Sequence, residues 1–271
     1  MRANNLTISI PSKGCDKNPP CPYCVSKITG GVETNLALME RNIKKVLLLA
    51  KISQVSSVLL TGKGEPFLSS YLLSFIDIFK EFSVEVQTNG IWLNKNLGEI
   101  KNLYDMGLNV IAISVDNITS DYVKIIAEEA HKYGIVVRVT FNITNMLPTD
   151  INFLKLIDLC KNWSVNQMTL RNITTPNHTE ETDQSKWIKK NVDPEMYNRL
   201  IKEFKEGCRE KGFLVRSLPY GAMVYDYFGL SVSYSDYCIQ DKNNSEDIRS
   251  LIFQEDGHLY TSWNSKASIL F

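Results

Sequence analysis

Short apolar runs alternate with amphipathic stretches along most of this chain. The runs at residues 6–10, 57–61, 84–88, 109–115, 135–143 and 165–171 have strand length, and several are almost continuously apolar. That is the pattern of parallel strands covered on both faces. Between them lie helical patterns. Residues 34–50 set Leu36, Met39, Ile43, Val46 and Ala50 on one face. Residues 120–133 take Ser120 as N-cap, carry Val123, Ile126, Ala127 and Ala130 inward and stop at Gly134. Residues 149–162 start at Thr149 after Pro148 and align Phe153, Leu154, Ile157 and Cys160. A last helix runs from Asp193 as cap and Pro194 at the first position to Gly212, aligning Met196, Leu200, Ile201, Phe204 and Cys208.

Six strand-then-helix units in a row predict an α/β fold, most simply a partial (β/α)6 TIM-like barrel. The loop after every strand then lies at one mouth, where sites in such folds are built. Residues 172–192 read as a polar break. After Gly212 the pattern changes, with tyrosines at 220, 225, 227, 234 and 237. Residues 249–254 and 258–263 flank Glu255-Asp256-Gly257, a hairpin signal. The expected division is a core over residues 1–212 and a C-terminal extension, 213–271, that contains the hairpin and covers the barrel mouth.

Thirty basic and thirty acidic residues cancel over 271 positions, with no basic stripe, so no bulk nucleic acid is expected as partner. No apolar stretch approaches the 18 or so residues of a spanning helix, and residues 1–5 do not open a signal peptide. A cytoplasmic protein with no membrane partner is expected.

Cys15, Cys21 and Cys24 change the picture most. They form a C-x5-C-x2-C group in the turn after the first strand. Two of them could form a disulfide, or Cys21 and Cys24 a redox pair. Six unevenly spread cysteines are not a secreted disulfide scaffold. A zinc knuckle needs a fourth ligand nearby, and His131 is far away in the chain. An ordinary [4Fe–4S] cluster takes one cysteine per iron, so three local cysteines leave one iron open to a small molecule. Iron–sulfur therefore stands ahead of zinc.

Other strand ends carry polar groups. The second strand runs into Gly62-Lys63-Gly64-Glu65-Pro66, where the glycines permit either a close approach or a positive φ. Pro66 holds Glu65 out of helical geometry. The third strand ends at Asn89-Gly90, an amide for ligand hydroxyls or simply a tight turn. The fourth ends with Ser114 and Asp116. On the fifth, Arg138, Thr140 and Asn142 share a face by period two, toward a cavity or toward solvent at an edge.

Taken together and in order, these features resemble the radical S-adenosylmethionine (radical SAM) enzymes over about residues 5–172: the three-cysteine loop, the aromatic Tyr23 before its last cysteine, the Gly-x-Gly-Glu-Pro turn, and Asn89, Ser114 and Asp116 at later strand ends. The resemblance implies one [4Fe–4S] cluster on Cys15, Cys21 and Cys24, whose free iron binds the amino and carboxylate groups of SAM. It implies Glu65 at the SAM amino group beside the Gly62–Gly64 backbone, and Tyr23 near the adenine. Asn89 and Ser114 would meet the ribose and methionyl end, and Arg138 the carboxylate. Reductive cleavage of SAM would give a 5′-deoxyadenosyl radical that takes hydrogen from a compact polar substrate. The electron would come from a donor such as flavodoxin or ferredoxin. The first cysteine gap departs from the family's commonest C-x3-C-x2-C, and removing Pro19-Pro20 would restore it.

Cys160 and Cys208 are expected in the core, His131 at the surface, and His178 and His258 outside the chemistry. Cys238 and the hairpin faintly resemble the extensions of peptide-modifying radical enzymes, so modification of a peptide or protein side chain is the alternative reaction. Cys238 alone cannot hold a second cluster. A non-catalytic iron–sulfur or zinc barrel, serving as an electron carrier or scaffold, is the alternative class, against which the Gly-Glu-Pro turn and Asn89 weigh.

Overall fold

A computed structural model of the 271-residue chain describes residues 2–29, 32–175, 181–217, 223–235, 248–263 and 265–271. His178, Tyr220, Tyr237 and Cys238 lie outside the described residues.

Strands β1 (Ala3–Ser9), β2 (Ser57–Thr61), β3 (Ser83–Thr88), β4 (Leu108–Val115), β5 (Val136–Ile143) and β6 (Gln167–Asn172) pair in parallel, each with the next in the chain. Helices α1 (Val25–Ile28), α2 (Leu36–Ile52), α3 (Leu72–Phe79), α4 (Ile91–Lys95), α5 (Glu99–Asp105), α6 (Tyr122–His131) and α7 (Phe153–Asn162) fill the crossovers. Helices α8 (Asp183–Asn191) and α9 (Pro194–Lys211) follow β6.

The chain then extends the sheet at both ends. Strand β9 (Leu230–Ser235) runs parallel to β6 and continues through antiparallel β8 (Met223–Tyr227) and β7 (Phe213–Ser217). Strand β10 (Ile248–Phe253) runs parallel to β1 and turns back into β11 (Leu259–Tyr260), as the hairpin signal implied. Among the described residues the result is one eleven-stranded sheet with β11 and β7 at its two ends, not a closed barrel. The partial-barrel expectation holds. The described residues of 213–271 lengthen that barrel wall, and Tyr227, Tyr234, Leu251 and Phe253 are buried in the main core.

The strands are less uniformly apolar than their composition suggested, because period two separates their faces. In β1, Leu6 and Ile8 are fully buried in the main core, while Asn5, Thr7 and Ser9 line a cleft. Val58 and Leu60 of β2 and Ile111 and Ile113 of β4 repeat the core-facing pattern. Each such side chain fully withdrawn from water contributes about 1.5–3 kcal/mol, so the core-facing side fixes the register and the cleft side is free to carry chemistry.

Helix details differ from expectation in several places, and Leu154, expected on the inner face of its helix, is exposed. Leu36 is exposed and Asn42 takes a buried position on α2, because its amide donates to the Gly257 carbonyl of the hairpin at 2.8 Å. Helix α7 begins at Phe153, since Asn152, not Thr149, accepts from the Lys155 amide. Ser120 does not cap α6; its hydroxyl donates to Asn117. The polar break holds α8, opened by a Thr182–Ser185 capping box.

Candidate active site

The cysteine loop leaves β1 and returns across the C-terminal ends of the parallel strands. Its seat is the turn after β2. A Cβ on Gly64 would stand 2.0 Å from the Gly14 carbonyl oxygen, and one on Gly62 2.9 Å from that of Ile10. Neither glycine has a positive φ. The two glycines therefore serve close approach, and what approaches here is the backbone of the cysteine loop. The Glu65 amide then donates to the Gly14 carbonyl at 2.8 Å.

Glu65 is 2% exposed, yet its carboxylate is well supplied with donors. Oε1 accepts from the Thr88 hydroxyl at 2.7 Å and the Phe67 amide at 3.2 Å, and Oε2 from the Asn89 amide at 3.0 Å. Burial raises its pKa against the pull of these bonds. Asn89 precedes Gly90, whose φ is +79°, so the tight turn is present. The amide is also engaged: Nδ2 donates to Asp16 at 2.8 Å and reaches the Cys15 sulfur at 3.5 Å.

The three cysteines are free thiols on this loop. Two of the sulfurs meet a side chain able to donate, Cys15 at Asn89 and Cys24 at the Ser26 hydroxyl at 2.9 Å, while Cys21 feels the charge of the Lys17 ammonium. Among the described residues no three such ligands form the shell of a single metal ion. A cluster that takes one cysteine per iron does not ask for that. Three thiols on one loop, with polar side chains at Cys15 and Cys24 and a cation near Cys21, fit an iron–sulfur group.

Lys17 lies in the long first gap. Its Nζ is 2.5 Å from Oδ2 of Asp116, which stands just beyond β4 and is 5% exposed. Burial would lower the lysine pKa, but Asp116 and Cys21 together raise it. Burial likewise pushes the Cys21 thiol up, against Lys17. The Tyr23 hydroxyl donates to the same Asp116 oxygen at 3.1 Å and receives the Asn142 amide at 3.4 Å. The Tyr23 ring is buried with Ile28, Ile173 and Ile188 and packs 5.6 Å from Trp187 of α8. So α8 roofs the cysteine loop, and the ring expected at an adenine is an anchor beneath it.

Cys15, Gly62, Gly64, Glu65, Asn89 and Ser114 line one cleft of about 390 Å³. Arg138 does not join them. It lies near the start of β5, away from the strand's C-terminal end, and its guanidinium pairs with Glu85 at 2.6 Å and Gln167 at 2.8 Å. Thr140 and Asn142 share its face and are buried. Cys160 and Cys208 are buried as expected, and His131 is exposed on Asn166. The same cleft is lined by residues that the sequence reading did not single out: Arg171 after β6's midpoint, Ser235 at the end of β9, and Ser250, Gln254 and Thr261 around the hairpin. Trp263 is there too. Period two in β6 and β9 would have placed Arg171 and Ser235 on the cleft side, but only once β9 was known to pair with β6.

A sequence model of the radical SAM superfamily matches residues 9–160. No curated protein matches by sequence. Among solved structures, Streptococcus suis SuiB bound to S-adenosylmethionine superposes with a TM-score of 0.65 at 16% identity, over 96% of this chain and 60% of that one. Native anSMEcpe with bound AdoMet gives 0.57 at 18% identity, over 97% of this chain and 75% of that one. At such identities the likeness is one of fold, and the chain spans about three fifths of SuiB's length. Among the described residues no helix is long and apolar enough to cross a membrane.

Proposed function

The chain belongs to the radical SAM superfamily, and from that premise we propose that it holds one [4Fe–4S] cluster on Cys15, Cys21 and Cys24, cleaves S-adenosylmethionine reductively, and takes a hydrogen atom from a compact polar substrate. The observation that carries this reading is the meeting of Cys15, Gly62, Gly64, Glu65, Asn89 and Ser114 on one cleft. A cluster held by Cys15, Cys21 and Cys24 would supply one electron to SAM, parting it into methionine and a 5′-deoxyadenosyl radical.

The chain's own residues do the rest. The Gly62–Gly64 shelf holds the cysteine loop against β2. Glu65 accepts from protein donors at both carboxylate oxygens, and Oε2, with one of them, keeps room to accept from the SAM amino group. Ser114 offers a hydroxyl further along the cleft. The further polar lining, with Arg171, Ser235, Ser250 and Gln254, supports a polar substrate and a role for residues 213–271 in closing the mouth. Shielding a carbon radical from water is the physical need for that closure. The electron would come from a small protein donor such as flavodoxin or ferredoxin.

Anaerobic reconstitution tests the reading. About four irons per chain in the native protein, lost in Cys15→Ala, Cys21→Ala and Cys24→Ala, is the expected result. A count near eight would show a second cluster, and full iron in all three variants would remove the proposed ligands.

A further inference from the structure

The long first gap of the cysteine loop does something that a shorter one has less chain to do. Asp16 reaches the Asn89 amide at 2.8 Å, which ties the loop to the end of β3. The next residue, Lys17, is drawn to Asp116 beyond β4 at 2.5 Å. The gap is therefore fastened to two neighbouring strand ends, and the second fastening holds a cation within the cysteine loop, where Lys17 and Cys21 each influence the other's pKa. Lys17 is largely buried, with 22% of its side chain exposed, and Asp116 only 6%. An ammonium held there by a buried carboxylate is screened far less than one at the surface.

Resting on the cluster reading above, we propose that Lys17 is a positioning residue for electron entry: fixed by Asp116, its ammonium donates to the Cys21 sulfur and raises the reduction potential of the cluster that Cys21 holds. Hydrogen bonds to cluster sulfurs and the net charge around them both set that potential. Lys17 supplies both at once. The neighbouring contacts, Asn89 at Cys15 and Ser26 at Cys24, are neutral. Lys17 alone among these three donors changes the net charge, so its removal has the largest effect of the three. Asp116 sets where the ammonium sits, and Tyr23, donating to the same oxygen at 3.1 Å, keeps the carboxylate facing the loop. The electron balance is simple: one electron from an external low-potential reductant reduces the oxidised cluster, and Lys17 keeps its protons in both states.

The test is a redox titration of anaerobically reconstituted protein, with dithionite as reductant and the reduced cluster read by electron paramagnetic resonance. Wild type, Lys17→Met, Lys17→Gln and Lys17→Arg are compared, with iron and sulfide counted in each. The expected result is full cluster content in all four. At the wild-type midpoint, Lys17→Met should show a reduced-to-oxidised ratio lower by about tenfold, equivalent to 59 mV for one electron. Lys17→Gln, which keeps a donor without the charge, should fall between, and Lys17→Arg should stay near wild type. A Lys17→Met protein that titrates with wild type at full cluster content overturns the proposal. Loss of the cluster from both Lys17→Met and Lys17→Gln overturns it in favour of a purely structural tether. A wild-type protein that takes up no iron removes the reading beneath the proposal instead.

Discussion

The Thr88 hydroxyl donates to Oε1 of Glu65 at 2.7 Å, joining the end of β3 to the turn after β2. The bond is buried, and it makes Glu65 a junction as well as a candidate ligand. One carboxylate holds Thr88, the Asn89 amide and the Phe67 amide in place. Asn89 in turn touches Asp16 and Cys15, so the position of the cysteine loop depends on Glu65 by two routes: through Asn89 and through its own amide on Gly14.

Glu65→Gln should therefore cost more than a ligand contact. The amide nitrogen that replaces one oxygen faces a donor wherever it points, Asn89 on one side and Thr88 and Phe67 on the other. The expected loss is about 1–3 kcal/mol of stability for the unsatisfied group, read by chemical denaturation. SAM affinity, read by calorimetry, should fall as well, by about 1.5–3 kcal/mol for a bond to a charged group. A variant with native SAM affinity would show that the amino group binds elsewhere.

Gly64→Ala is a sharper probe of the loop. The added methyl would lie 2.0 Å from a backbone oxygen of Gly14, and backbone cannot swing aside as a side chain can. We expect a destabilisation of about 1–3 kcal/mol, as for an overpacked site, and a marked fall in iron bound per chain. Gly62→Ala, at 2.9 Å from Ile10, should be milder. Equal iron content in Gly64→Ala and wild type would contradict the seat described here.

Cys160 and Cys208 offer the control. Both are buried in the main core, and burial pushes both thiols well up in pKa. Cys160→Ala and Cys208→Ala should leave iron content unchanged and cost only the small packing loss of one sulfur. A drop in iron in either would mean that the core cysteines communicate with the loop.

Truncation after Gly212 should leave no folded protein. It strips β9 from β6 and β10 from β1, exposing the backbone of both strands, and removes Tyr227, Tyr234, Leu251 and Phe253 from the core. The expected readout is loss of the cooperative thermal transition. A stable truncated protein would show that residues 213–271 are an appendage. The proposed substrate role of the cleft's further polar lining is better probed by Arg171→Gln, which should leave SAM binding near wild type and weaken turnover of the native substrate.

How much of this could be read beforehand follows from the range of each interaction. Six strands and the order of their loops follow from local hydrophobic patterning, and that was enough to bring the cysteine loop, Glu65 and Asn89 to one mouth. Glycine's role at Gly64 could not be settled, since only the fold shows what approaches it. Arg138 was misplaced along its strand: period two gives the face but not the height, and near the start of β5 it meets Glu85 instead of the mouth. The α8 roof was missed because 172–192 is polar in composition, although Thr182, Ser185, Trp187 and Ile188 carry a cap and an apolar face. The edge pairings of β9 and β10 are long-range contacts with no local signature.

The central claim is radical cleavage of SAM at this cleft. Its most direct test is to mix anaerobically reconstituted, dithionite-reduced protein with SAM and quantify 5′-deoxyadenosine and methionine by liquid chromatography. The account predicts both products in equal amounts from wild type and neither from Cys15→Ala, Cys21→Ala or Cys24→Ala. A wild-type protein that carries its full complement of reduced iron and still releases no 5′-deoxyadenosine, with or without candidate substrates, would contradict it.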